Sequence, residues 1–259
     1  MNYDTQANLI FYAVAAISIF VVILGFLGIV HLWTLGKAKH LGSEINTLKW
    51  IKSILKATLL QTQILEYSVV AWLAHLMIFW GFTSLLFLTT FHFLLIWFLS
   101  PSTSFFHYFK DSSGNLFLAV WGDFWGLILF VGILLALFRR YILRPQKLST
   151  VSDDSVAIWL LFVVAITGFM CEAVRLAARR EAQDLAYSFV VSWIVPLLKQ
   201  YDLAEAQVTY FFWIHGLTSL IFLVYVPFSK FRHIVAAPLD YAFVTASSRY
   251  TKNKSLKRR

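Results

Sequence analysis

Five stretches of this 259-residue chain each string together twenty or more mostly apolar residues. They run from about Leu9 to Trp33, Val69 to Leu99, Leu116 to Leu137, Ser155 to Leu176 and Val208 to Phe228. A bilayer core offers no water to an unpaired backbone group, so a segment of about 20 apolar residues crosses it as a helix. The pattern specifies an all-α fold, an integral membrane bundle of five transmembrane helices. Composition agrees, with 59% apolar residues, 14% charged residues and a mean hydropathy of +0.72. A soluble domain carries about 45–50% and 25% respectively. A soluble enzyme and a disordered chain are both excluded. The first stretch is expected to span and not to be a cleaved leader, because Asp4 is its only early charge and no basic segment precedes it.

Lysine and arginine positions predict the orientation. Lys37, Lys39, Lys49, Lys52 and Lys56 lie between the first two stretches, and Arg139, Arg140, Arg144 and Lys147 between the third and fourth. Eight more follow the fifth, whereas Lys110 stands alone between the second and third. Seventeen of the 22 basic residues therefore fall on one side. The positive-inside rule puts the N-terminus outside and the C-terminus in the cytoplasm, as in a multi-pass protein of the cytoplasmic (inner) membrane. The net charge of +9 is thus a topology signal, and no nucleic-acid partner is implied.

Residues 1–244 are expected to form the five-span membrane domain, and 245–259 a basic cytoplasmic tail. Ile45–Leu60 mixes lysines with apolar residues at helical spacing. It reads as an amphipathic surface helix, serving either as an interfacial anchor or as a docking face for a cytoplasmic subunit. Tyr187–Leu198 is apolar but too short to span, and is expected in the interface.

Cys171 is the only cysteine, so an internal disulfide, an iron–sulfur cluster and a covalently attached c-type haem are all excluded. Any redox role falls to a non-covalent group. Ionisable residues inside a membrane are costly and point to function. His75 and His92 bracket the second stretch, 17 residues apart, and His215 and His233 bracket the fifth, 18 apart. At 1.5 Å per residue these separations are about 26 and 27 Å, close to the hydrocarbon thickness. The two helices run antiparallel, which pairs His75 with His233 near the cytoplasmic face and His92 with His215 near the outer face. Two imidazole pairs at two depths suit two stacked b-type haems. Eighteen residues at 100° each put His215 and His233 on one face of a regular helix, whereas His75 and His92 stand about 100° apart. A kink or a loop before His92 is needed to close that gap. His107 is its rival as ligand, and an open position is the third reading.

Glu172 and Arg175 form an i,i+3 pair. They read equally as mutual neutralisation, or as a propionate-binding arginine beside a glutamate that relays quinol protons. Arg232 sits at the cytoplasmic edge, where an inner-haem propionate or plain anchoring accounts for it. His107 and Lys110 are the basic groups of the second outer loop and are candidates for a quinone carbonyl. Six glycines in the apolar stretches, Gly81, Gly122, Gly126, Gly132, Gly168 and Gly216, are expected to permit close helix packing.

The stretches HLMIFWGF at 75–82, TGFMCEAVR at 167–175 and WIHGLTSLIFLVYVPFSKFRHIVAAPL at 213–239 carry a resemblance. The chain resembles the cytochrome b (gamma) subunits of respiratory nitrate reductases. It is more similar to the membrane subunits of heterodisulfide-reductase-type and sulfite-reduction-associated complexes. The resemblance covers nearly the whole chain to Asp240. It implies two bis-histidine b haems, with His75, His215 and His233 as ligands. The nitrate-reductase branch has its fourth ligand ten residues after the first, where this chain has Leu85, so His92 is the substitute. Also implied are electron transfer with menaquinone or ubiquinone, and a cytoplasmic iron–sulfur partner of heterodisulfide-reductase type rather than nitrate-reductase beta type. The other functional class compatible with the residues is a haem-free membrane anchor or assembly protein.

Overall fold

The computed structural model describes residues 3–37, 48, 51–52, 55–144, 152–178, 187–201, 203 and 205–246. Among these residues it is helical, with no strand. Its long helices are α1 (Tyr3–Lys37), α2 (Val69–Phe98), α4 (Ser113–Phe138), α5 (Ser152–Ala178) and α6 (Glu205–Tyr225). The shorter α3 (Ser104–Asp111) joins α2 to α4, and α7 (His233–Ala246) follows α6. Five segments have the length and hydropathy to cross a membrane: Leu9–Leu32, Val69–Phe98, Ser113–Leu143, Ser155–Ala178 and Ala206–Phe228. They match the five apolar stretches within a few residues, and the chain is a multi-pass membrane protein. Most of the Ile45–Leu60 segment, His40 and residues 247–259 of the tail lie outside the described residues.

The chain divides into two compact units. The first comprises residues 1–72, 150–157 and 220–259. Here α1 exposes large apolar side chains on nearly every face, among them Leu9, Ile17, Phe20, Leu27 and Leu32. Such a helix is unsupportable in water and ordinary in lipid. It packs against the turn that follows α6, with Gly25 beneath the Pro227 ring.

The second unit, residues 73–149 and 158–219, holds most of the buried side chains. Its tightest contact is between α2 and α4. A Cβ built on Gly81 would stand 2.7–2.8 Å from the backbone and Cβ of Leu129, and one on Gly132 would stand 2.8 Å from Met77 Cβ. Lipid supplies no hydrophobic drive between helices, so glycines that let backbones touch supply dispersion contact instead. Ile133 lies on this seam, fully buried. Ile133→Ala is expected to cost about 2–5 kcal/mol, read as a lower melting temperature in detergent. Further aromatic contacts tie α4 to α5, where Phe130 stacks on Phe162 at 5.8 Å and meets Phe169 edge-on at 6.1 Å.

Tyr187–Leu198 is indeed too short to span, forming a 3-10 turn (Val191–Trp193) and one helical turn (Val195–Leu198). Only part of it behaves as an interfacial segment. Trp193 is 84% exposed, whereas Val191 and Val195 are fully buried against Ala173, Leu176 and Ala177 of α5.

Candidate functional site

The four histidines stand in two kinds of local setting. His75 and His92 are half-buried on α2. That helix stays hydrogen-bonded six residues beyond His92. No loop therefore re-aims His92, and the offset of about 100° from His75 on an ideal helix stands. His215 is half-buried on α6.

His233 is not on the same helix as His215, which corrects the regular-helix reading of their 18-residue spacing. The helix α6 ends at Tyr225, followed by a 3-10 turn (Val226–Phe228) that contains the buried Pro227. Ser229 is extended at φ −110° and ψ −175°, and a second 3-10 turn (Lys230–Arg232) leads to His233 at the head of α7. Proline lacks the N–H that would continue the ladder and crowds the preceding turn. The Ser229 hydroxyl then accepts the Phe231 N–H at 3.2 Å and caps the new turn. Periodicity arithmetic cannot see such a break, although Pro227 was its visible warning.

Two of the imidazoles are held in orientation by their own neighbours. The Thr167 hydroxyl donates to the Val163 or Val164 carbonyl, at 2.8 and 3.0 Å. Its oxygen is thereby left to accept from His215 Nδ1–H at 3.2 Å. The ring lies against Gly168, where a Cβ would stand 3.1 Å from His215 Cε1. His233 Nδ1–H donates to the Lys230 carbonyl, and its ring stacks on Phe231 at 6.5 Å. An imidazole that donates through Nδ1 carries its lone pair on Nε2, the tautomer a metal needs. Thr167→Val removes the acceptor while keeping the side-chain volume. It is expected to weaken binding of an iron porphyrin about tenfold, measured by titrating haem into the apoprotein and following its absorbance.

The other predicted residues fall into place as follows. Arg175 Nη2 lies 3.6 Å from Glu172 Oε1, so the i,i+3 pair forms. The charges of Arg175 and His92 also interact, which brings the end of α5 toward the end of α2. Lys110 Nζ sits 5.1 Å over the Phe106 ring. His107 meets the same ring edge-on at 6.0 Å, and both basic residues are exposed on α3. Arg232 is exposed in the turn before His233.

Sequence reasoning passed over Asp123. It is completely buried, ten residues inside α4, and its Oδ2 accepts the Val190 N–H at 2.7 Å. The signal was available, because Asp123 is the only charged residue between Ser113 and Phe138. Two residues before Val190, the Ser188 hydroxyl donates to Glu172 Oε1 at 2.9 Å. Two carboxyl groups thus hold one short backbone segment to α4 and α5.

Among the described residues no group of three or more His, Cys, Asp or Glu converges as a metal cage. A haem iron needs no such cage, since the porphyrin occupies its equatorial positions and the protein supplies at most two axial groups. Neutral imidazoles fixed through Nδ1, one of them seated against a glycine, fit that requirement.

The model of the HdrE family, the membrane component of dihydromethanophenazine:CoB–CoM heterodisulfide reductase, matches residues 51–241, well over half of the chain. A relative named EtfAB:quinone oxidoreductase, from Syntrophomonas wolfei, is 26% identical over 249 residues. That match covers 90% of this chain and 33% of the relative. The dihydromethanophenazine:CoB–CoM heterodisulfide reductase HdrE protein of Methanosarcina barkeri is 27% identical over 204 residues, covering 78% of this chain and 68% of that one. The HdrE protein of Methanosarcina thermophila is 28% identical, covering 70% and 61%. The chain therefore spans about a third of the length of the first relative and about two thirds of the HdrE proteins. No solved structure matches it.

Proposed function

This chain belongs to the HdrE family of heterodisulfide reductase membrane cytochrome b proteins, and on that premise we propose that it is a di-haem cytochrome b. It passes electrons between a membrane quinone, menaquinone or ubiquinone, and an iron–sulfur protein docked on its cytoplasmic face. The observation that carries the reading is His215, held by Thr167 through Nδ1 and lying against Gly168 within a transmembrane helix. A buried histidine with an orienting partner and glycine-made room is what axial ligation asks of a bundle.

In this reading His75 and His233 hold the inner haem, and His92 and His215 the outer one. Arg232 and Arg175 take propionates, with guanidinium forks suited to carboxylates. His107, Lys110 and Glu172 serve the quinone on the outer side. The haems supply one-electron redox change, and the chain does the rest. Thr167 and the Lys230 carbonyl fix ring orientation. The apolar spans keep water away, and the basic excess sets the N-terminus outside.

The quinone assignment draws on the relative named a quinone oxidoreductase, and on the HdrE relatives, whose names carry dihydromethanophenazine. The heterodisulfide reductase membership favours a partner of that type over a nitrate-reductase beta type. The test is a dithionite-reduced spectrum of the purified chain. Reduced b-type bands with about two haems per chain are expected. A colourless preparation overturns the proposal in favour of a haem-free anchor.

A further inference from the structure

We propose that Asp123 and Glu172 form a proton-transfer pair that carries away the protons released when a quinol is oxidised by this chain. The proposal rests on the quinone-linked reading above and extends it to residues that reading does not use together. Asp123 is fully buried within a transmembrane helix, and only one of its oxygens is bonded. Among the described residues its Oδ1 is buried without a hydrogen-bond partner. An ionised carboxylate there leaves a bare anionic oxygen in apolar surroundings. A proton on Oδ1 removes that charge and leaves Oδ2 as acceptor for Val190.

Glu172 is its counterpart. It accepts the Ser188 hydroxyl and faces the Arg175 guanidinium, two partners that suit a carboxylate. The two carboxyl groups are close enough for their charges to interact, so one proton serves both more readily than none or two. The charged groups around them are Arg175 on α5 and, through Arg175, His92 on α2. The bound segment Ser188–Val190 contributes no charge of its own. Glu172 is the more accessible member, with a side chain 23% exposed, and Asp123 lies deeper. The order of transfer is therefore inward to outward.

Oxidising a quinol to the quinone breaks two O–H bonds and releases two electrons and two protons. Two ferric haem irons accept the electrons, one each. Asp123 hands its proton to Glu172 and onward to the surface. The emptied Asp123 carboxylate then takes a quinol hydroxyl proton, and the exchange repeats once for the second.

The experiment uses the full haem-loaded chain and its Asp123→Asn variant. Asparagine imitates the neutral acid, accepting from Val190 through its amide oxygen, so fold and haem content are expected to persist. Infrared spectroscopy at neutral pH should show a protonated-carboxyl C=O band in the wild type that the variant lacks. Menadiol should reduce the variant's haem about a hundredfold more slowly than the wild type's, while dithionite reduces both alike. Glu172→Gln, at a more accessible group, gives the same kinetic comparison if Asp123→Asn misfolds. A missing infrared band, or a variant that menadiol reduces at the wild-type rate, overturns the pair. A wild-type chain that binds no haem, or whose haem menadiol leaves oxidised, overturns the underlying function as well. That failure is told apart because the wild type itself is then silent.

Discussion

His215→Ala is expected to remove one of two b-type haems, leaving about half the reduced absorbance per chain. The reason is local. The ring's Nδ1 is committed to Thr167, which directs Nε2 away from its own hydrogen-bond partner. Alanine offers no ligand, and Gly168 and Thr167 offer none in its place. Because His215 and His233 belong to different haems in the proposed arrangement, His233→Ala should remove the other half. The double variant should be colourless. Helix content by circular dichroism should hold in all three, since neither histidine bears on the α2–α4 seam. Full absorbance in His215→Ala would move the outer ligand set elsewhere.

Gly81→Val is expected to be the most damaging single change to the fold. The added Cβ would meet Leu129 N, Cα and Cβ at 2.7–2.8 Å. These atoms are mostly backbone and have no rotamer to retreat into, so α2 and α4 must separate. Overpacking of this kind costs about 1–3 kcal/mol and sometimes more. In a bundle held by close packing, the loss should appear as a lower melting temperature and as aggregate in size-exclusion chromatography. Gly122→Ala is the control. Its Cβ meets only Leu88 Cδ2, at 3.3 Å, the flexible tip of a side chain that can turn aside. A near-neutral result there, beside a damaged Gly81→Val, separates backbone collision from a general intolerance of larger residues.

Much of the fold was legible because hydropathy acts over whole segments. The five spans match the apolar stretches within a few residues, since lipid exposure rewards every face of a helix at once. The Glu172–Arg175 pair was equally legible, since i,i+3 neighbours on a helix must meet. Local breaks were less so. Regular spacing put His215 and His233 on one helix face, whereas Pro227 and the extended Ser229 divide them between α6 and α7. Nor did spacing alone select Thr167 as the partner of His215, 48 residues away.

The sequence by itself determined the class of molecule, the number of spans and the residue types able to hold a redox group. A solvent as uniform as a bilayer makes those features depend on composition and length alone. The tertiary structure decided which polar groups are satisfied and by what. It seated His215 against Gly168, closed α2 on α4 at Gly81 and folded Ser188–Val190 onto two carboxyl groups. Those choices depend on backbones approaching within a few ångströms from distant parts of the chain, which no local pattern encodes. Asp123 lies between the two: its position was plain in the sequence, and its unpartnered Oδ1 emerged only from the packed helices.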